Sequence, residues 1–351
     1  MIIAVLYVFL IAAKAALALR FASRQPPASK ATLTIVQPIL SGDPLLEATL
    51  KSNLKAHPDS QFLWMIDDDD PEAQRIASPL ANPNLRVFLC PPPQNGENPK
   101  LAKLVRALDM ITTERLMILD DDTYLCADLP TGALVTGLPV FTATNTTYER
   151  LLGGFVNGSA LLTYLPAAQL NLQRTINGMI YSVDAAQLRS LGGFTAAGHE
   201  LTDDYAVARL YSRNGLAITQ SIAPAFVSMT VTTGTHYLRV MRRWMIFASR
   251  YFGDNATVAT IFWIALPGLL PLVGVITAPL LWIPLLIAKS ISNRLLLRSI
   301  TKVKSTLADV LFECLADVLT PLWMMLAFIQ PHQLTWRSRK ITLENGAIRY
   351  K

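Results

Sequence analysis

The chain has 351 residues, of which 52% are hydrophobic and 16% are charged, and its formal net charge is +6. This composition is apolar for a soluble protein, and the length allows one large domain or a domain joined to membrane segments. The basic residues border apolar segments without any nucleic-acid-binding motif, which indicates a membrane rather than a nucleic acid as partner, and the three widely spaced cysteines predict neither a disulfide framework nor a zinc site.

The first apolar segment lies at the N-terminus. Residues 2 to 19 carry one charge, Lys14, and a membrane span needs about 20 apolar residues. A cleaved signal peptide is the alternative, but no clear small-residue cleavage site precedes Arg20. We therefore predict an uncleaved transmembrane anchor over residues 1–22.

Strand and helix patterns alternate in the first half of a domain that we place at residues 30–252. Continuous apolar runs predict four strands, at 33–40, 61–66, 85–90 and 115–119. Amphipathic patterns predict two helices that begin with Asp43 and Asn98 as N-caps. Such apolar runs suit strands buried on both faces of a parallel sheet, so the expected fold class is α/β with a nucleotide-binding type of sheet.

Two of the predicted strands end in runs of acidic residues, Asp67 to Asp70 and Asp120 to Asp122. Ligands of open α/β sheets bind beyond the carboxyl ends of strands, and residues i and i+2 of an extended chain point to the same side. Asp120 and Asp122 can therefore face one divalent cation, Mg²⁺ or Mn²⁺, which would hold a diphosphate. A solvated turn is the alternative interpretation. No glycine-rich phosphate loop follows the first strand, which argues against a dinucleotide or P-loop site.

A third acidic pair, Asp203 and Asp204, opens a helical pattern in "HELTDDYAVARLYSRNG". Aspartate at the start of a helix stabilises the first turn. A carboxylate held there is also fixed in place, as a general base requires, and the two roles do not exclude each other.

Two further apolar segments follow the domain. Residues 256–288 carry no charge and are interrupted by prolines and glycines, which favours a helical hairpin or a broken pair of helices. Residues 307–329 contain three acids, so this stretch is either a span with buried acids or an interfacial helix. We assign residues 253–330 to C-terminal membrane helices and 331–351 to a basic tail.

Several segments, in their order along the chain, resemble a known family. They are "PILSGDP", "NPKLAKL", the strand that ends in "DDD", "GMIYSVDAAQLRSLGGF", "TDDYAVARLYSRNG", "RRW" and "LTWRSRKITL". The set resembles the family 2/21-type glycosyltransferases and, among them, the ceramide glucosyltransferases, over most of the chain. The resemblance implies a GT-A nucleotide-sugar-binding domain with a mixed or parallel sheet, an N-terminal transmembrane anchor and C-terminal membrane helices.

The resemblance also implies roles for individual residues. Asp204 falls where the family has its catalytic base, and Asp120 with Asp122 forms a D-x-D that is expected to bind the metal. The residues expected to bind the nucleotide sugar are Asp67, Asp70, Lys100 and Asp120. Candidates for contact with the diphosphate or the acceptor are Asp203, Arg239 and Arg242.

A tryptophan motif precedes the C-terminal membrane segments. Arg243 and Trp244 match the end of the family's QxxRW or RxxRW motif and are expected to be catalytic. Val240 stands where the family has Gln or Arg, so the sequence departs from the motif there, and Arg239 and Arg242 adjoin that position. Trp244 is equally explained as an aromatic residue at the membrane interface.

These observations predict an inverting glycosyltransferase that uses Mn²⁺ or Mg²⁺. It would move a hexose, glucose in first place, from a UDP-sugar to a hydroxyl of a membrane lipid, ceramide in first place. One alternative is another lipid acceptor, such as a hopanoid or diacylglycerol. Others are a processive polysaccharide synthase, which usually needs more membrane helices, and a non-enzymatic membrane protein that binds a divalent ion.

The basic residues predict the orientation. Arg20, Arg24 and Lys30 follow the first apolar segment, while only Met1 precedes it, which places the domain in the cytoplasm by the positive-inside rule. We expect a multi-pass protein of a bacterial inner membrane, or of the Golgi or endoplasmic reticulum in a eukaryote. Whether residues 307–329 cross stays open, because a crossing would place the basic tail outside.

Overall fold

A computed structural model of the chain describes residues 1–26, 28, 31–80, 82–125, 127–197, 200–329, 333–336, 339–344 and 347–350. Lys30 and Cys126 lie outside these ranges. The described chain forms two compact units. We call them the sheet unit, with residues 26–139, 174–230 and the C-terminal strands, and the helix unit, with residues 1–25, 140–173 and 231–329.

The helices alternate with the strands in the sheet unit and follow one another in the helix unit. The strands are β1 (Leu33–Ile39), β2 (Gln61–Asp67), β3 (Leu85–Cys90), β4 (Arg115–Leu119), β5 (Thr123–Leu125), β6 (Leu134–Phe141), β7 (Ile180–Asp184), β8 (Ile218–Val227), β9 (Gln333–Trp336), β10 (Arg339–Glu344) and β11 (Ala347–Tyr350). The helices are α1 (Ile2–Ala22), α2 (Leu46–Ala56), α3 (Pro71–Ala77), α4 (Pro99–Leu108), α5 (Thr147–Gln169), α6 (Ala185–Ser190), α7 (Asp203–Arg213), α8 (Gly234–Asp254), α9 (Val258–Thr260), α10 (Leu266–Thr277), α11 (Pro279–Thr301) and α12 (Leu307–Ile329).

The large sheet is mixed, with eight strands in the order β3-β2-β1-β4-β7-β6-β8-β5. The first four strands along the chain pair in parallel, while β7 pairs antiparallel with both β4 and β6. The four strands predicted from apolar runs are therefore confirmed. Their carboxyl ends lie at one edge of the sheet, which is where the sequence places its acids.

The core explains why these strands are apolar throughout. Alternate residues of β2 point to opposite faces: Leu63 and Met65 enter one apolar cluster with α4 and α7, and Phe62 and Trp64 enter another with α2 and α3. All four side chains are buried. Both faces of the sheet are thus covered by helices, as expected for continuous apolar strands.

The two predicted helix caps have different outcomes. The Asn98 side chain accepts hydrogen bonds from the backbone N–H of Lys100 and Leu101 at the start of α4, as predicted. The prediction that Asp43 caps α2 is wrong, because α2 begins at Leu46 without a side-chain cap. The Asp43 carboxylate accepts a hydrogen bond from the N–H of Leu45, before the helix, and two more from the backbone N–H and hydroxyl of Thr230.

Five helices of the helix unit are long and apolar enough to cross a membrane: residues 2–22, 147–169, 258–277, 279–301 and 307–329. The predicted break in the second apolar segment is present, at Ala278, between α10 and α11. The helix α5 was not predicted; its start carries a capping box formed by Thr146 and Glu149.

Lys14, the single charge of the first apolar segment, is buried in the helix unit. Its Nζ donates a hydrogen bond of 2.9 Å to the backbone carbonyl of Trp263. Pro267 follows four residues later and has no N–H to offer that carbonyl. The lysine therefore satisfies a backbone acceptor that the proline exposes, and it ties α1 to the proline-broken segment.

The C-terminal residues also form regular structure. The strands β9, β10 and β11 form a small antiparallel sheet with β10 in the centre. This sheet belongs to the sheet unit, whereas α5 and α8 belong to the helix unit. The two compact units thus interleave along the chain.

Candidate active site

The start of α4 is anchored to the segment before α7. The Asn98 Nδ2 group donates to the backbone carbonyls of Leu201, at 2.8 Å, and Glu200, at 3.2 Å. Pro99 occupies the first turn, where a missing N–H costs nothing. This anchoring brings Lys100 to the N-terminus of α7, where Asp203 and Asp204 begin the helix.

Lys100 joins three parts of the sheet unit. Its Nζ lies 2.7 Å from Asp120 Oδ1 and 3.2 Å from Asp203 Oδ2, and it donates to the backbone carbonyl of Gly178 at 2.7 Å. The ammonium group thus has two carboxylates within ion-pair distance and one backbone carbonyl as hydrogen-bond acceptor. Burial alone would lower the pKa of Lys100, but the two carboxylates outweigh it and raise that pKa well above its usual range.

A second buried lysine of the same helix, Lys103, serves the ends of β1 and β2. Its Nζ donates to the backbone carbonyl of Ile39 at 2.6 Å and lies 3.1 Å from Asp67 Oδ2. Asp67 is only 1% exposed. A buried charge needs a partner, and Lys103 supplies it. Asp67 is thus part of the framework that holds the strand ends together.

Two further acids bind the loop after β1. Asp121 accepts a hydrogen bond of 2.8 Å from the N–H of Leu40, and Asp70 accepts one of 2.8 Å from the N–H of Ser41. Asp70 also caps α3 through the N–H of Ala73. Burial raises the pKa of Asp70, but the hydrogen bonds from Ser41 and Ala73 outweigh it and lower that pKa. Both carboxylates therefore shape the loop.

The three acids after β4 divide into two kinds. Asp121 is buried, while Asp120 and Asp122 on either side of it are partly exposed. Among the described residues, no three His, Cys, Asp or Glu side chains are grouped so that they could hold a metal by themselves. Mg²⁺ is commonly bound by one or two carboxylates together with substrate phosphates. Asp120 and Asp122 supply oxygen ligands of that kind, so the residues fit a cation that is shared with a diphosphate.

Asp203 and Asp204 occupy the first turn of α7, after the N-cap residue Thr202. Asp203 is buried and paired with Lys100, whereas no described cation lies within ion-pair distance of Asp204. Burial and then the neighbouring Asp203 carboxylate raise the pKa of Asp204 from 3.8 to about 7. Two adjacent carboxyl groups with different partners are a common arrangement for acid–base chemistry.

Gly178 lies directly against Asp204. A Cβ at this position would approach Asp204 Cβ to 3.0 Å and Oδ2 to 3.1 Å. The same residue offers its carbonyl to Lys100, so the "GM" segment contacts both the lysine and the candidate base. Only glycine fits here without displacing the carboxylate.

The sheet unit contains most of the site residues expected from the sequence. These are Asp67, Asp70, Lys100, Asp120, Asp122, Asp203 and Asp204. Sequence reasoning missed Lys103, Asp121 and Tyr181. The Tyr181 side chain is fully buried, and its hydroxyl has no hydrogen-bond partner among the described residues. Burial raises the pKa of Tyr181 well above its usual value, with opposing and supporting effects from Lys100, Asp203 and Asp120.

The tryptophan motif lies in the helix unit, on α8. The Trp244 ring stacks on Phe155 of α5 with ring centroids 5.9 Å apart. Val240, at the position that departs from the family motif, is 5% exposed, and Arg239, the residue before it, is exposed. The buried valine has an apolar packing role, and the arginines around it are the only charged groups of this motif.

The chain is similar to known proteins over nearly its whole length. Residues 1–348 match a family model described as "Glycosyl transferase family 21". No curated protein sequence matches the chain. The resemblance found in the sequence and the predicted fold class, an α/β domain of GT-A type with apolar helices at both ends, are confirmed.

Two solved structures illustrate the structural similarities. One is a mannosyltransferase from Pyrobaculum calidifontis in complex with GDP-Man and Mn²⁺, at 14% identity and a TM-score of 0.48, covering 93% of this chain and 98% of that chain. The other is glucosyl-3-phosphoglycerate synthase from Mycobacterium tuberculosis in complex with Mn²⁺, UDP and glucosyl-3-phosphoglycerate. Its identity is 15% and its TM-score 0.37, covering 63% of this chain and 85% of that chain.

Proposed function

Because the chain belongs to glycosyl transferase family 21, we propose that it transfers a hexose, glucose in first place, from a UDP-sugar to a hydroxyl group of a ceramide-type membrane lipid. The observation that carries this proposal is the pair Asp203–Asp204. One carboxylate is ion-paired with Lys100, and the other has a pKa of about 7 and no described cation beside it.

Asp204 acts as the general base in this proposal. It takes the proton of the acceptor hydroxyl while the hydroxyl oxygen forms a bond to the anomeric carbon of the sugar. The bond from that carbon to the diphosphate breaks in the same displacement, and UDP leaves. A single displacement inverts the anomeric configuration. A base whose pKa lies near the working pH is well matched to this task.

Asp120 and Asp122 are the residues that would hold a divalent cation. When bound, Mn²⁺ or Mg²⁺ supplies a Lewis acid that stabilises negative charge on the leaving diphosphate. Lys100 fixes the orientation of Asp120 through their 2.7 Å contact. The charge at the carboxyl ends of the strands supports a bound cation, because the acidic residues there outnumber Lys100 and Lys103, which pair with them.

The nucleotide is proposed to bind at the loop after β1. Asp67 and Asp70 contribute by holding this loop, since their carboxylates are buried and bonded to Lys103 and Ser41. From the family motif, Arg243 and Trp244 are proposed to act in catalysis, with Arg239 and Arg242 as further candidates for phosphate contact. We also propose that the sheet unit faces the cytoplasm, because Arg20 and Arg24 follow α1.

The substitution Asp204→Asn tests the base. We expect transfer to fall by about 10² to 10⁴, the usual effect of losing a general base, while binding of the UDP-sugar persists. Purified protein in detergent is assayed for lipid glycosylation by mass spectrometry and for donor binding by calorimetry. Asp59→Asn, an exposed isosteric change, is the control. Activity of Asp204→Asn within a few-fold of the unsubstituted enzyme would assign the base to another residue, with Asp203 next.

Removal of divalent cations tests the proposed metal. We expect a chelator to stop turnover, and Mn²⁺ or Mg²⁺ to restore it, because the diphosphate loses its Lewis acid. Asp122→Ala should raise the cation concentration needed for half-maximal activity at least tenfold, by loss of an oxygen ligand. Transfer at the full rate in excess chelator would contradict the metal assignment and leave the base assignment untouched.

A further inference from the structure

The chain leaves the sheet unit twice and returns to it twice. The first excursion is residues 140–173 and the second is residues 231–329, and both consist mainly of apolar helices of the helix unit. The sheet unit itself is a hydrogen-bonded structure with polar loops, which cannot be divided between the two faces of a bilayer. Each excursion must therefore begin and end on the same side of the membrane, and it crosses an even number of times.

The first excursion contains one long helix, α5. It has 23 residues and is long and apolar enough to cross a membrane by length and composition. Yet β6 before it and β7 after it are hydrogen-bonded neighbours, with Leu134 paired to Val183. A crossing would place these two strands on opposite faces of the bilayer. One helix between two paired strands cannot cross.

The second excursion ends at the small C-terminal sheet. That sheet is bound to the loop before α4: the N–H of Gly96 donates to the Ile348 carbonyl at 2.8 Å. Tyr350 adds two bonds, from its N–H to Asn95 Oδ1 at 2.9 Å and from its hydroxyl to the Glu97 carbonyl at 2.7 Å. Ile348 is fully buried. The C-terminal strands therefore lie on the same side as the large sheet.

This docking excludes three separate crossings in the second excursion. The candidates are residues 258–277, 279–301 and 307–329, and three is an odd number. The first two form a close pair: a Cβ at Gly274 of α10 would overlap the Trp282 ring of α11. The turn between them, at Ala278, carries no charge, whereas Lys302 and Lys304 follow the pair. The pair therefore enters and leaves as a hairpin, and α12 is the helix that does not cross.

The faces of α12 agree with a position along the membrane surface. Its acids are paired inside the helix unit: Glu313 is fully buried, 2.9 Å from Lys289 Nζ and 2.7 Å from Arg294 Nε. Asp317 is 2.8 Å from Lys289. The opposite strip is apolar and exposed, and consists of Leu307, Leu311, Leu315, Leu322, Leu326 and Ile329. An apolar strip of this kind on a helix that does not cross fits the acyl-chain region of one leaflet.

We infer that α5 and α12 are embedded in the membrane without crossing it, and that the C-terminal sheet lies on the same side as the aspartates of the active site. The occupant of the exposed strip of α12 is the acyl-chain region of the leaflet on that side. The protein then crosses the membrane with α1 and with the hairpin formed by residues 258–277 and α11. This inference does not depend on the reaction that the enzyme catalyses.

Single cysteines at the two ends of α12 test the inference. Lys304→Cys precedes the helix, Lys340→Cys follows it, and Lys55→Cys marks the large sheet; all three positions are exposed. A membrane-impermeant maleimide is applied to intact cells and to inverted membrane vesicles, with the unsubstituted chain as the background for its own thiols. We expect all three cysteines to react in the same preparation. Reaction of Lys340→Cys only in the opposite preparation to Lys55→Cys would overturn the inference.

A cross-link gives a second, independent measurement of the same docking. The double variant Asn95→Cys/Tyr350→Cys places thiols on two residues that are hydrogen-bonded in the structure. A short bismaleimide should join them in folded, membrane-bound protein, and neither single variant should show the product. Absence of the link in a double variant that retains enzymatic activity would overturn the docking, and this result decides the matter if Lys340→Cys is unreactive from both sides.

Discussion

At the level of single residues, the two lysines of α4 pair with acids that hold the site together, and neither lysine forms an ion pair with Asp204. Lys103 engages Asp67, and Lys100 engages Asp120 and Asp203. Each lysine is buried, and each also binds a backbone carbonyl. Paired buried charges are expensive to break, since the partner left behind is uncompensated. The lysines thus hold the strand ends and α7 in register, and Asp204 remains beside them as the carboxyl group that titrates near neutral pH.

The pKa of Asp204 predicts the pH dependence of transfer. The groups that face it are Asp203, Lys100, Asp120 and Tyr181, and burial with Asp203 raises its pKa to about 7. A base works in its deprotonated form, so kcat should fall about tenfold per pH unit below 7 and level off above it. Initial rates at saturating donor between pH 5 and 9 measure this. A flat profile from pH 5.5 to 8 would contradict it.

The raised pKa of Asp204 also predicts how the stability of the fold depends on pH, and this trend is opposite to that of the activity. A carboxyl group whose pKa is higher in the folded state than its ordinary 3.8 stabilises the fold at low pH, and this contribution is lost as the pH rises through about 7. The Tm of Asp204→Asn should therefore exceed that of the unsubstituted protein by an amount that grows between pH 4 and 7. Thermal unfolding across this pH range checks the sign.

Gly178 predicts a steric route to inactivation. In Gly178→Ala the new Cβ lies 3.0 to 3.1 Å from the Asp204 side chain, closer than ordinary contacts, so the carboxylate must move. Because small displacements of catalytic groups are costly, we expect kcat to fall about 10²-fold with little change in donor affinity. Gly253→Ala is the matched control, since a Cβ there contacts nothing within 4 Å. Equal activities of the two variants would rule out the contact as a constraint.

At the level of elements, α11 and α12 are joined by a buried charge network that has no net charge. Lys289→Met leaves Glu313 and Asp317 without their shared cation and should destabilise the helix unit by roughly 3–5 kcal/mol. The double variant Lys289→Met/Asp317→Leu restores neutrality, because Arg294 still pairs with Glu313. We expect thermal unfolding in detergent to show a large loss in the single variant and recovery of most of it in the double. A double variant less stable than the single would contradict the charge argument.

The elements of the sheet were largely predictable from the sequence, but the partners of the acids were not. Strands β1 to β4 follow from continuous apolar runs, and the cap of α4 follows from Asn98 and Pro99. The role of Asp121 depends on the N–H of Leu40, 81 positions away, and that of Asp203 on Lys100. The local pattern of apolar and polar residues does not show which distant residues pair in the fold. The helix α5 was missed because glycines and an asparagine interrupt its apolar face, although its capping box was visible in the sequence.

At the level of the whole molecule, neither unit is built from one continuous piece of chain. The sheet unit is assembled from three stretches, and the last of them comes after every apolar helix. A fragment that ends at residue 252 would lack β9 to β11 and with them the bonds to the loop before α4. The C-terminal strands therefore belong to the same compact unit as the large sheet. Docking of the tail beside Asn98 connects the end of the chain to the helix that carries Lys100.

The bond between Lys14 and the Trp263 carbonyl has a consequence for the order of synthesis. The two residues are 249 positions apart, so the lysine enters the membrane long before its acceptor exists. At about 5–20 residues per second, the ribosome takes tens of seconds to produce it. Throughout that interval the ammonium group of Lys14 lacks the acceptor that it has in the folded protein. The nascent chain can therefore form the hydrogen bond of Lys14 only after the proline-broken segment has been synthesised and has packed against α1.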